Sequence, residues 1–196
     1  MNMYIISEDI YRTYPKTSLD ALTGNDNKKW KDQVLSAVEE VASYLRARYD
    51  VDLIFIDIPT HVAANEYALG DLVENSVDGL IYEAILAVPA DTLISNETYW
   101  IQNDPRNQKI VSLTVDVLLY YLLGRLNNND IPQFRRVRYD GDDPKQMGGA
   151  VGYLKSVAKG IVQPDLPLLE TGQTDQTGNV VMYTSASASA AKNTSF

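Results

Sequence analysis

A single histidine, His61, and no cysteine set the limits on chemistry in this 196-residue chain. A Ser-His-Asp site would have to be built around His61, and nothing near it resembles a nucleophile elbow. The surrounding "PTHVAANEY" reads as a polar connection carrying a loop histidine. Without cysteine there is no thiolate nucleophile, no disulfide framework and no zinc site built on sulfur. Glu39 and Glu40 are adjacent, so on a helix they project about 100° apart and do not make an acid-base pair. The acidic pieces "NNND" (127–130) and "DGDDP" (140–144) lack the calcium-loop ligand pattern, and the second reads as a turn followed by a helix cap. Gly148, Gly149 and Gly152 in "KQMGGAVGYLKSVAKG" lack the Gly-Lys-Ser/Thr of a phosphate loop and fall within a predicted helix. Close helix packing explains them, at up to about 1 kcal/mol per glycine. The residue types predict no catalytic residue, no cofactor and no metal: a protein that is not an enzyme.

The net charge of −9 opposes sequence-independent binding to a phosphate backbone, because that affinity comes from lysine and arginine displacing counterions. One basic cluster stands out in "FRRVRY", where Arg135, Arg136 and Arg138 are predicted to pair with acids at the surface or across a subunit contact. With 45% hydrophobic residues the chain can bury one real core. It shows neither a signal-peptide pattern nor a long apolar run, which predicts a soluble protein at work in a cytoplasm.

The elements that must position these residues are mainly helical. Ser7 followed by Glu8 and Asp9 predicts a short helix over 7–14. Apolar residues at Trp30, Val34, Val38, Val41 and Leu45 predict an amphipathic helix over 27–49. Asp104 and Pro105 look like the cap and first position of a third helix, apolar nearly all round from Ile110 to Leu123, as a central helix of a bundle would be. Asp143 and Pro144 repeat the start signal for a fourth, with Met147, Val151, Leu154 and Ala158 as its buried stripe and Gly160 as its stop. The expected fold is a compact bundle of about four helices, formed by 1–50 and 104–163.

Between its halves, 51–103 changes period from helical to two. "DLIFIDI" predicts a strand, and the segments 71–75 and 80–87 flank a turn at Asp78-Gly79. This predicts an inserted small antiparallel β subdomain. From 164 to 196 the chain turns to Gly, Ser, Thr, Gln and Ala, with a small apolar patch at Val180 to Tyr183. Such a segment cannot bury enough apolar surface to offset its lost chain entropy, so it is expected to be an extended C-terminal arm, ordered by a partner.

Three helical segments carry a family likeness: "YLRARYDV", "DPRNQKIVSLTVDVLLYYLLGR" and "RYDGDDPKQMGGAVGYLKSVAKGIVQPDLP". The chain resembles the head-tail connector proteins of tailed bacteriophages, also called head-completion or adaptor proteins. Tyr44, Leu45, Arg48 and Tyr49, then Tyr120, Tyr121 and Arg125, then Arg138, Tyr139, Tyr153, Leu154, Lys155, Ala158, Lys159 and Gly160 match that family's pattern. The insertion and the glycines of the closing helix depart from it.

The resemblance implies a homomeric ring, usually a dodecamer, docked beneath the portal protein in the virion neck and assembled in the host bacterial cytoplasm. It extends the DNA channel toward tail or further connector proteins, with genomic DNA passing through without specific binding and with no membrane partner. An acidic lumen suits that role, since it repels phosphates. Tyr67, Tyr82 and Trp100, in "Y..GD.V...G..Y.A" followed by tryptophan, are similar to the small three-stranded carbohydrate-binding modules, which implies a sugar or partner contact. The competing expectation is that these rings form the minicore of a tiny sheet. A carbohydrate-binding protein or virion accessory protein is therefore the alternative function, and a small regulatory or enzyme-associated helical domain a further one.

Overall fold

The computed structural model describes residues 4–126, 131–142 and 148–169. Among these, seven helices and one three-stranded sheet alternate in the order α1 (Ser7–Tyr11), α2 (Lys16–Thr23), α3 (Asn27–Leu45), α4 (Val51–Ile54), β1 (Leu72–Glu74), β2 (Ile81–Ala84), β3 (Trp100–Gln102), α5 (Gln108–Leu126), α6 (Gln133–Asp140) and α7 (Gly149–Ala158). The chain is thus mainly helical with a small β unit.

Helix α3 starts where the Asp26 carboxylate accepts a hydrogen bond from the Lys28 N–H (3.0 Å). Its apolar stripe, Trp30, Val34, Val38, Val41 and Leu45, is buried throughout and packs on α5. Helix α5 buries Ile110, Val111, Leu113, Val115, Val117, Leu118, Leu119 and Leu122, which makes it the centre of the core. Helices α6 and α7 close the same core, with Val151, Leu154 and Val157 turned inward.

Several expectations are corrected. Helix α1 ends at Tyr11, and its cap is Ile6, whose N–H donates to the Asp9 carboxylate (3.0 Å). Pro15 opens a new helix, α2, because its fixed φ suits an N-terminal boundary. The predicted strand "DLIFIDI" begins instead as the one-turn helix α4, since Asp50 accepts from the N–H groups of Asp52 and Leu53 (3.1 and 3.2 Å). Helix α5 starts at Gln108 rather than Pro105, and Asn107 supplies its cap by accepting from Lys109 and Ile110 (3.1 and 3.2 Å). The basic cluster "FRRVRY" is itself helical, as α6. Asp143, Pro144 and Met147 lie outside the described residues, as do "NNND" and the arm from 170 to 196.

Gly148 and Gly149 stand at the start of α7 rather than inside it. There the turn after α6 crosses the start of α7 backbone on backbone: a Cβ at Gly149 would lie 2.7 Å from the Gly141 nitrogen and 2.8 Å from the Tyr139 carbonyl. Gly160 ends α7 in the left-handed conformation (φ 74°), the predicted stop. The chain then returns along the end of α3, with Asp50 N–H donating to Pro167 C=O (3.0 Å) and Leu169 N–H to Arg48 C=O (3.2 Å).

The sheet is antiparallel in the order β1-β2-β3, and Val73 faces Tyr82 while Ala84 faces Trp100. Val73, Ala84, Val88 and Trp100 form a minicore on one face. On the other, Ile81 joins Ile6 and Ile58 against the N-terminal segment. The Ser7 hydroxyl donates to the Glu74 carboxylate (3.4 Å) across the same junction.

Candidate functional site

Two places in the molecule gather polar and aromatic groups at the surface. The first lies where α3, α5 and α6 meet. Glu40, on the outer side of α3, accepts hydrogen bonds from the Tyr121 hydroxyl and from the Tyr139 hydroxyl (2.9 Å). Tyr120 stacks on Tyr139 with ring centroids 3.8 Å apart and planes 3° from parallel. Tyr121 is tilted against both rings. All four side chains and Tyr44 are half-buried. Burial, reinforced by the Glu40 carboxylate, pushes the Tyr121 phenol up to about 12 and moves Tyr139 and Tyr44 in the same direction. These phenols therefore stay protonated donors, and the carboxylate is held by hydrogen bonds rather than by a cation. The arrangement clamps α3, α5 and α6 to one another through a single carboxylate.

The adjoining arginines are tied within the chain. Arg138 forks onto Asp116 (2.7 and 3.2 Å) with its side chain 43% exposed. Arg135 is only 4% exposed: it donates to the Thr13 carbonyl (3.0 Å), lies 3.9 Å from Asp116 and packs on Tyr14 and Phe134. Burial lowers its pKa from the ordinary arginine value, with Arg138 adding repulsion. Arg135 is thus unavailable to a subunit contact, whereas Arg136, which donates to the Ile131 carbonyl (3.1 Å), and Arg138 remain exposed.

The second place is the β unit. Trp100 is 2% exposed, so it offers no platform to a sugar ring. The Tyr67 hydroxyl is occupied, accepting from Val62 N–H (2.7 Å) and donating to Val62 C=O (3.1 Å). Tyr82 donates to Asp78 (3.0 Å) and packs against the minicore. The rings named from the sequence are therefore brought together chiefly as packing. His61, read as a loop histidine, joins them: it stacks on Tyr67 at 5.5 Å, edge-on to Trp100 at 5.3 Å. Exposed apolar side chains of this unit include Ile85, Leu86, Ile101, Leu69, Leu93 and Val77.

Sequence reasoning missed one buried site. Arg106 spends all five N–H donors: on Asp104 (2.8 and 2.9 Å), on Asp9 (2.7 and 3.1 Å) and on the Tyr4 carbonyl (2.6 Å). It ties the exit of the β unit to the N-terminal helix. Beside it a cleft of about 330 Å³ opens between Leu53, Ile56, Pro105 and Leu166. The "DPR" triplet was a cap signal in the sequence, and only the fold shows its arginine to be buried. Among the described residues no three acidic or histidine side chains converge as a metal site, and no helix is long and apolar enough to cross a membrane.

Comparison with known proteins finds no matching family, no matching characterised protein and no matching solved structure.

Proposed function

We propose that this chain is a structural virion protein of the head-tail connector class, forming a ring beneath the portal that joins the DNA-filled head to the tail. The observation that carries the reading is a convergence. Tyr44, Tyr120, Tyr121 and Tyr139 match the connector pattern in three separate segments, and they meet around the one carboxylate of Glu40. A second pair of pattern residues, Arg48 and Gly160, also meets, since a Cβ at Gly160 would collide with the Arg48 guanidinium. Residues that share a pattern because they share a fold behave in this way.

In this reading 1–50 and 104–163 form the connector core and 51–103 projects as a docking surface for tail proteins. Pro167 and Leu169 bond to the end of α3 in the same chain, so the arm in this reading is the remainder after Leu169, which would reach a neighbouring subunit or the portal. The net charge of −9 keeps DNA moving through the lumen. The carbohydrate-binding alternative draws less support, because Trp100 is buried and Tyr67 is hydrogen-bonded to backbone. Immunogold labelling of intact particles from the phage encoding the chain tests the location. Label confined to the neck is the expected result, and label on the capsid shell or fibre tips, or none, rejects it.

A further inference from the structure

The β unit holds two buried ring nitrogens without a hydrogen-bond partner, Nε2 of His61 and Nε1 of Trp100. Both belong to one aromatic cluster. His61 stacks on Tyr67 with ring planes 20° apart, and Trp100 stands edge-on to both, 5.3 Å from His61 and 5.2 Å from Tyr67. A hydrogen bond to the Thr92 backbone favours a proton on His61. With no partner at Nε2 and the Thr92 backbone favouring a proton on the ring, the neutral tautomer carries its proton on Nδ1. Neutral His61 thus buries a bare Nε2 lone pair inside a nest of rings, where it needs no acceptor.

A proton on Nε2 changes the balance. It creates a charged donor with no acceptor against Tyr67 and Trp100, and Trp100 is the ring that packs Val73, Ala84 and Val88. Among the described residues no carboxylate contributes to the electrostatics of His61. Glu74 and Glu83 project from the opposite face of the sheet by register. The Asp71 carboxylate accepts from Ala68 N–H (2.7 Å), and Glu66 and Asp91 are exposed.

We infer that His61 is an acid-sensitive latch: its protonation opens the His61–Tyr67–Trp100 cluster and loosens the β unit, while the helical core around α5 stays folded. Burial lowers the His61 pKa from 6.5, against the smaller opposing effect of Thr92. A base with a depressed folded pKa contributes stability that is present above 6.5 and lost as pH falls through the lower folded value. The helical core has no histidine and does not share this transition.

His61 is the only histidine and Trp100 one of two tryptophans, so NMR reads the latch directly in the full chain. The His61 ring signal and the two indole N–H signals are followed from about pH 8 to about pH 4.5, across the histidine range. The expected result is a His61 midpoint below 6.5, with the Trp100 indole signal moving at the same midpoint and the Trp30 signal, in the helical core, unmoved. His61→Phe and His61→Asn both abolish the Trp100 transition. A His61 midpoint at or above 6.5, or a Trp100 signal that stays fixed while His61 titrates, overturns the inference. That wild-type readout decides the matter even where a variant fails to form the β unit.

Discussion

Arg106 and Asp9, 97 positions apart in the chain, meet through two buried hydrogen bonds of 2.7 and 3.1 Å. Burial works against the guanidinium's charge, but bonds to Asp104 and Asp9 outweigh it and raise its pKa further. Arg106→Met leaves Asp9 buried without its cation and is expected to cost about 3–5 kcal/mol. Arg106→Lys recovers little of this, because an ammonium cannot fork onto two carboxylates and a carbonyl. Urea unfolding of both variants measures the loss; a lysine variant as stable as the parent contradicts the role of the fork.

The same network gives an acid dependence separate from His61. Asp104 is half-buried, and its hydrogen bonds to Arg106 outweigh burial and hold its pKa below the ordinary 3.8. Its contribution is present above pH 3.8 and lost as pH falls through the depressed value. Asp104→Asn should flatten the acid limb of stability in that window, read by denaturant midpoints at successive pH values.

At the tyrosine cluster, Glu40→Gln removes the charge that Tyr121 and Tyr139 donate to. A loss of about 1.5 kcal/mol is expected, the low end of the range for a hydrogen bond to a charged group, because the cluster is half-buried. Raised phenol pKa values stabilise the fold below about pH 10, and this is lost as pH rises through the folded values. Ultraviolet titration of phenolate should show Tyr121 ionising at about 12 in the parent and earlier in Glu40→Gln. Unchanged titration would leave burial alone as the cause and remove the contribution of Glu40.

Two glycines separate backbone strain from collision. Gly70 (φ 89°) and Gly160 (φ 74°) both adopt the left-handed region. A Cβ at Gly70 meets nothing within 4 Å, while one at Gly160 runs into Arg48. Gly70→Ala is expected to cost about 1–2 kcal/mol from backbone conformation alone. Gly160→Ala should cost more, by thermal unfolding, because Arg48 must also move.

Trp100→Ala empties the minicore and is expected to cost the β unit about 3–5 kcal/mol. Amide exchange at Val73 and Ala84 should rise, with α5 unaffected. Tyr82→Ala, at the edge of that minicore, should do less. Equal effects would contradict the packing role of Trp100.

Helix α3 was legible from its period, since all five apolar positions read in it are buried, and α5 from the length of its nearly continuous apolar run. The hairpin was legible from Asp78-Gly79, where Gly79 takes φ 68°. Short elements were not. "DLIFIDI" has strand composition, yet the cap offered by Asp50 wins one helical turn. In "FRRVRY" the charges masked a helix whose Arg135 points inward. The burial of Arg106 and the roles of Glu40 and His61 were not legible because each has a partner distant in sequence: a local reading cannot place Asp9 beside Arg106, Tyr121 beside Glu40 or Trp100 beside His61.

The central claim is assembly, and native mass spectrometry of the purified chain, with and without the portal protein encoded beside it, tests it most directly. A closed homomeric ring, formed alone or on the portal, is the predicted result. A monomer that the portal leaves unchanged contradicts the connector reading.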